Sequence, residues 1–221
     1  MLYRYILLLA LLKFSNAAHC KDTLAFKNWF ELNAGFGASN FAQNGNIDYG
    51  RSNFSYCFGI GFIHSTSNKM RLRNEIAYRR MGHSRAVNFY DETGSLIRAN
   101  IVSMNVPYIQ WRPSIDIGTK KLTSYLGGYL GVRLPTKVKS NFLQSAVEVL
   151  EEDYDNALST FDWGACAGIK VNLGAPKRNQ IYMTLELSHG LMNINSKDNR
   201  VILTERIRNV SALVGMGICL R

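Results

Sequence analysis

Glu186, Ser188 and His189 lie together in "LELSHGL" (185–191), and a serine beside a histidine with a carboxylate nearby is the set a hydrolase uses. Nucleophile and base must meet within hydrogen-bond reach. Neighbouring residues of a strand point to opposite faces. In a strand, then, Ser188 and His189 cannot cooperate, and His189 reads as a strand-end residue near an interface. His19, His64 and His83 are isolated, and no His-x-His or HExxH spacing suggests a metal. The run "EVLEEDYD" groups Glu148, Glu151, Glu152, Asp153 and Asp155; it reads as a solvated loop before it reads as a divalent-cation site. Arg200, Arg206 and Arg208 could meet anionic lipid phosphates or simply solubilise a surface. No catalytic, cofactor-binding or metal residues are expected.

A different set of charges stands out once the elements are drawn. "NVSALVGMGICL" (209–220) keeps Val210, Ala212, Val214, Met216, Ile218 and Leu220 on one parity, and Ser211, Gly215, Gly217 and Cys219 on the other. A period of two marks a strand with unlike faces. The same alternation recurs at 30–39, 54–62, 70–79, 102–108, 122–134, 161–173 and 180–191, which makes eight strands. In the fourth, Val102, Met104, Val106 and Tyr108 form the apolar side, and Pro107 suggests a local irregularity. Glu31, Glu75, Asp162 and Glu186 fall on the polar faces and could pair with Arg71, Arg73, Arg133 and Lys170.

The connections 40–53, 81–99, 135–160 and 192–208 are long and polar, whereas 64–69, 112–121 and 174–179 are short and turn-like. An even strand number with long loops at one end and short turns at the other is the layout of an outer-membrane barrel. Both chain ends then lie on the short-turn, periplasmic side. "MLYRYILLLALLKFSNA" has an early Arg4, an apolar core and small residues, the layout of a signal peptide over residues 1–17. A short lead over 18–27 and a barrel domain over 28–221 follow. Removing Arg4 and Lys13 with the signal lowers the net charge from +10 to +8. The remaining Lys and Arg are scattered and lack aromatic interleaving, so nucleic acid is not an expected partner.

The composition of the polar faces separates a membrane barrel from a soluble one. A water-facing sheet avoids glycine, yet glycines 35, 37, 59, 61, 127, 131, 164, 168, 215 and 217 crowd these faces. Small residues with a few charges fit the inside of a narrow barrel, where the charges must form a network. Cys57, Cys166 and Cys219 fall on that face too. The apolar face would meet lipid, with Phe54, Tyr56, Tyr108, Phe161 and Trp163 as interfacial girdle candidates.

The blocks "LRNEIAY" (72–78), "SMNVPYIQW" (103–111), "YLGGYLGV" (125–132), "FDWGACAGIKV" (161–171) and "LELSHGLMNIN" (185–195) resemble the PorT-like outer-membrane β-barrel family of Bacteroidota. Glu75, Pro107, Asp162, Gly164, Gly190, Leu191, Asn193 and Ile194 occupy its pattern positions. The chain departs from that pattern in ending Leu220-Arg221, where outer-membrane barrels end in an aromatic residue, and in carrying Asn105 where the family has an acidic residue. The resemblance implies outer-membrane location and no single activity.

The expectation is therefore an all-β, eight-stranded antiparallel up-and-down transmembrane barrel without a bulk pore. Its loops would serve binding, adhesion or envelope structure. Its partners would be outer-membrane lipids, lipopolysaccharide, the barrel assembly machinery and envelope secretion components. A secretion accessory, a lipid A-modifying enzyme and a soluble lipocalin-like binder of apolar ligands are the alternatives.

Overall fold

The structure is a computed structural model that describes residues 28–43, 51–67, 69–90, 93–119, 121–140, 158–173, 179–194 and 207–220. The signal peptide, Cys20, the acidic run 148–155, Arg200 and Arg206 lie outside the described residues.

The strands are β1 (Asn28–Gln43), β2 (Arg51–Ser65), β3 (Met70–Tyr90), β4 (Leu96–Gly118), β5 (Leu122–Arg133), β6 (Lys137–Ser140), β7 (Phe161–Asn172), β8 (Asn179–Gly190) and β9 (Ile207–Leu220). Each pairs antiparallel with its neighbours. The ring closes where β1 meets β9, from Phe30↔Leu220 to Gln43↔Ile207. The alternation of the last strand runs to Leu220 because that residue still belongs to the closing seam. β6 resumes the path of β5 along β4, so the cylinder has eight staves, one of them in two pieces.

Pro107 sits at the break between those pieces. Its carbonyl accepts the Leu134 N–H at 2.8 Å, so the side on which a proline lacks a donor is the side where the partner strand is interrupted.

Three expectations about strand limits need correction. Residues 81–99 are not a loop, because β3 and β4 run on as a hairpin through Tyr90↔Leu96, turning at Gly94, whose φ of 80° suits glycine. Residues 112–121 are mostly strand, since β4 continues to Gly118. The long connection 135–160 contains β6.

The faces are sharply unlike. Phe30, Phe36, Phe58, Ile60, Leu126, Phe161 and Leu187 stand on the outer wall with 56–67% of their surface exposed. Inward residues are buried, and Cys57, Cys166 and Cys219 are among them as free thiols. β4 overturns its expected phase. Met104, Val106 and Tyr108 point inward and are buried, while Ile109, Trp111, Ile115 and Ile117 face outward. Tyr108 is therefore no girdle residue. The reason is that one end of the interior is itself apolar, so hydrophobicity there does not report the outer face.

Glycine gives the interior its room. Tyr125 pairs Gly168, Tyr129 pairs Gly164 and Tyr182 pairs Gly217, and each ring lies where a Cβ on that glycine would stand. We expect Gly217→Ala to destabilise the barrel by about 1–3 kcal/mol through overpacking, and Tyr182→Ala in the same chain to remove that penalty. Thermal unfolding followed by circular dichroism checks both; equal loss in single and double variants would contradict the packing.

Candidate functional site

Eight buried charges meet in the middle of the barrel. β3 supplies Arg73, Glu75 and Arg79 at alternate positions, and β4 supplies Arg112 and Asp116. Glu31 comes from β1, Lys170 from β7 and Glu186 from β8. The antiparallel register sets Glu75 directly opposite Arg112. Arg73 Nη1 contacts Glu31 Oε1 at 3.2 Å and Glu75 Oε2 at 3.0 Å, and its Nε lies 3.7 Å from Asp116 Oδ1. Lys170 Nζ joins Glu31 at 2.8 Å and Asp116 at 3.3 Å. Glu186 receives Arg79 Nη1 at 2.7 Å and is also held by Arg112, which reaches Glu75 at 3.2 Å.

Four carboxylates thus face four cations, so the belt is neutral as a whole. Burying an unpaired ion would cost several kcal/mol, which makes that balance a condition for the fold. Polar and aromatic side chains complete it. Tyr125 donates to Glu186 Oε2 at 2.7 Å. The Arg73 guanidinium stands 4.5 Å from the Tyr125 ring centre. Arg79 Nη2 donates to Ser211 Oγ at 2.6 Å, which meets Ser188 Oγ at 2.7 Å.

Apolar layers close the belt at both ends. Trp29, Ile63, Tyr182 and Cys219 form one, on the short-turn side. Phe41, Met81, Met104, Val106, Tyr108, Leu158, Ile194 and Ile207 form the other. Leu158 and Ile194 come from segments outside the strands, tied together by Ser159 N–H donating to the Ile194 carbonyl at 2.6 Å. The cavity within the belt measures about 20 Å³, room for about one water. A filled, ionic belt at the centre differs from the central apolar cavity that a lipocalin-like barrel would need.

Of the charges singled out from sequence, Glu31, Arg73, Glu75, Lys170 and Glu186 meet in the belt. Arg71 is half-buried outside it, its cation 5.4 Å from the Trp29 ring centre. Arg133 is half-buried nearer the other end, donating to Thr136 Oγ1, the Ser159 carbonyl and the Leu158 carbonyl. Asp162 is buried one layer away from the belt and meets no cation among the described residues. Sequence reasoning missed Arg79, Arg112 and Asp116 as partners. Arg79 already stood in phase with Arg73 and Glu75; Arg112 and Asp116 were lost with the misread connection. Ser188 is buried, and His189 is exposed on the outer wall beside Val210 and Ala165, so the two do not form a catalytic pair. Arg208 is half-buried on the outward parity of β9.

Charged within, apolar without and closed on itself, the chain is an eight-stranded antiparallel barrel of inverted polarity. In overall form it is similar to three solved proteins. Neisserial surface protein A is 12% identical, with 86% of this chain and 96% of that chain covered and a TM-score of 0.47. Ail, the attachment invasion locus protein of Yersinia pestis, is 11% identical over 88% of this chain and 99% of that one, at 0.41. The outer membrane protein OprG from Pseudomonas aeruginosa is 12% identical over 88% and 96%, at 0.35. No protein-family model and no curated protein sequence matches the chain.

Glu186→Gln leaves Arg79 without a carboxylate and Arg112 with Glu75 alone. We expect it to destabilise the barrel by about 3–5 kcal/mol, read from urea unfolding. Adding Arg79→Met returns the belt to neutrality, and part of the loss should be recovered. If the single variant unfolds at the wild-type urea concentration, the belt is not the constraint described.

Proposed function

We propose that the chain is an integral outer-membrane β-barrel of a Gram-negative bacterium, with both chain ends on the periplasmic side. In this reading it serves binding, adhesion or envelope structure through its long-loop end, and it does not conduct bulk solutes. The observation that carries the proposal is the inverted polarity: large apolar side chains cover the outer wall while ion pairs fill the centre. Hydrocarbon demands that every ladder hydrogen bond be closed, and the β1–β9 seam meets that demand.

The height of the wall fits as well. Twelve-residue strands such as β5, β7 and β8 are roughly 40 Å long. At the tilt of ~45° found in such barrels they span roughly 28 Å, close to a bilayer core. The outer wall turns polar at both edges. At the long-loop edge the outward positions of β3 and β4 become polar, where half-buried Arg80 donates from Nε to buried Asn105 Oδ1 at 3.0 Å and buried Ser84 meets half-buried Ser103 at 2.8 Å. At the other edge Lys69 and Lys121 are exposed beside short turns. Tyr56 and Tyr78 stand near the Arg80 edge, with ring centres 6.1 Å apart, as an interfacial girdle would.

The projecting hairpin favours a binding role. β2 leaves β3 at Arg51↔Ser84 and β6 leaves β4 at Val102↔Ser140, yet β3 and β4 continue pairing to Tyr90↔Leu96. Beyond those points neither edge of the ribbon has a strand partner among the described residues. Open edges are templates for an extended segment of another protein. Lipid, lipopolysaccharide and the barrel assembly machinery are the partners every such barrel meets. The resemblance to PorT-like blocks agrees with this placement, and co-purification with large envelope complexes would favour the secretion-accessory role.

Two measurements test the proposal. Leu126→Arg, placed at a residue with 67% of its surface exposed near the middle of β5, should cost about 2–4 kcal/mol in lipid vesicles. A soluble protein would tolerate it. Thr93→Cys, introduced with Cys20→Ser, should react with a membrane-impermeant maleimide on intact cells, since Thr93 lies at the exposed hairpin tip. Reaction only after outer-membrane permeabilisation would reverse the orientation.

A further inference from the structure

Between the ion-pair belt and the apolar layer at the long-loop end lies a group of polar side chains that the belt does not use. Asp162, with 1% of its surface exposed, accepts at Oδ2 from Asn209 Nδ2 at 2.7 Å and from Tyr129 Oη at 3.1 Å. Its Oδ1 has no hydrogen-bond partner, and the Trp163 amide lies near the carboxylate without closing that oxygen. Asn209 donates also to Tyr108 Oη at 3.3 Å, while its own Oδ1 is unpartnered. Gln110, fully buried, has a partner at neither Oε1 nor Nε2.

The register places these groups in one layer. Gln110 pairs Gly131 and Gly131 pairs Asp162, so a residue with no side chain separates them on the inner wall. A Cβ on Gly131 would stand 3.3 Å from Gln110 Cγ and 3.5 Å from the Asp162 carbonyl. On the other side, a Cβ on Gly190 would stand 3.0 Å from Asn209 N and 3.2 Å from Tyr129 Oη. The space over Gly131 is taken by Gln110, which leans across it on the side of Asp162, and by the Tyr108 ring, whose Cδ1 would also stand 3.3 Å from a Cβ there.

The belt is balanced without Asp162, and the nearby cations are committed elsewhere. Arg79 holds Glu186 and Ser211, and Arg133 holds Thr136 and two carbonyls. A buried carboxylate must be neutralised. A proton on Asp162 Oδ1 would neutralise the carboxyl and supply one O–H donor, enough for one of the Asn209 and Gln110 oxygens, whereas a cation engages all three oxygens at once. One carboxylate with neutral oxygens is too little charge for the carboxylate-rich sites that hold Ca²⁺.

We propose that Asp162, Asn209 and Gln110 bind one monovalent cation of sodium or potassium size inside the barrel. The site locks β4, β7 and β9 together at the level where the ion-pair belt ends. It depends on the barrel interior alone and stands apart from what the projecting hairpin binds.

The test uses the full mature chain folded in detergent, with ²²Na⁺ and ⁸⁶Rb⁺ as probes in equilibrium dialysis. One equivalent of one of these ions should bind per chain. Its affinity should fall about tenfold or more in Asp162→Asn, and measurably in Gln110→Leu. The thermal midpoint of the wild type should rise with that salt and not with choline chloride at equal ionic strength. Should Asp162→Asn fail to fold, Gln110→Leu and Asn209→Leu carry the comparison, since both keep the carboxylate. Absence of bound ion, or binding unchanged in the variants, overturns the proposal. So does a midpoint that follows pH alike in sodium and choline, because a proton then does the neutralising.

Discussion

The constraint on which this molecule depends is electrical neutrality in a space that water barely enters. Glu31, Glu75, Asp116 and Glu186 each take at least one cation from another strand, and the partners link β1, β3, β4, β7 and β8 across the barrel. Such pairs add little net stability, because desolvation offsets most of their attraction. Their effect is on register. A slip of β3 by one residue would turn Arg73, Glu75 and Arg79 onto the outer wall and bring Asn74, Ile76 and Tyr78 inside. Both faces would then be wrong at once. Side-chain ions and backbone ladder thus demand the same arrangement, and that agreement selects one closed cylinder among the shifted ones.

Neutrality at the centre requires dry layers at the ends. The two apolar clusters close the barrel, one with residues from strands alone, the other with Leu158 and Ile194 from outside the strands. This second layer explains why the loops are more than appendages, since their roots form part of the core. Guanidinium groups and tyrosine rings fill the middle of the barrel and leave a cavity of about 20 Å³ there. The prominent feature at the rim is the β3–β4 ribbon, held at its base by the same strands that carry most of the belt.

Legibility in the sequence follows these layers. Where inside means charged or glycine-rich and outside means apolar, alternation alone assigns the faces, as it does for β1, β5, β7, β8 and β9. At the level of Met104, Val106 and Tyr108 both sides are apolar or shielded, and the same rule assigns β4 the wrong way round. The correcting signal stood further along the strand. In "YIQWRPSID" (108–116), Gln110, Arg112, Ser114 and Asp116 share the parity of Tyr108, while Trp111 and Ile115 hold the other. Reading 112–121 as a short connection cut that run in two. Asp162 was visible as an interior charge, but its lack of an ion-pair partner among the described residues was not, because cross-barrel neighbours depend on stagger between strands that are remote in sequence.

The glycines carry the last step. On an open sheet a glycine is a loss, with nothing to pack and more chain entropy to surrender. Inside a cylinder of eight strands the walls are too close for eight full rows of side chains. Tyr125, Tyr129 and Tyr182 each lie across a glycine of the neighbouring strand, so one strand's missing side chain is the seat of the next strand's ring. The rings in turn serve the charges: Tyr125 donates to Glu186 and faces Arg73, Tyr182 faces Lys170 at 5.0 Å, and Tyr129 donates to Asp162. Glycine, tyrosine and ion are therefore one arrangement. A larger residue at the glycine displaces the ring, and a displaced ring leaves a buried charge short of a partner.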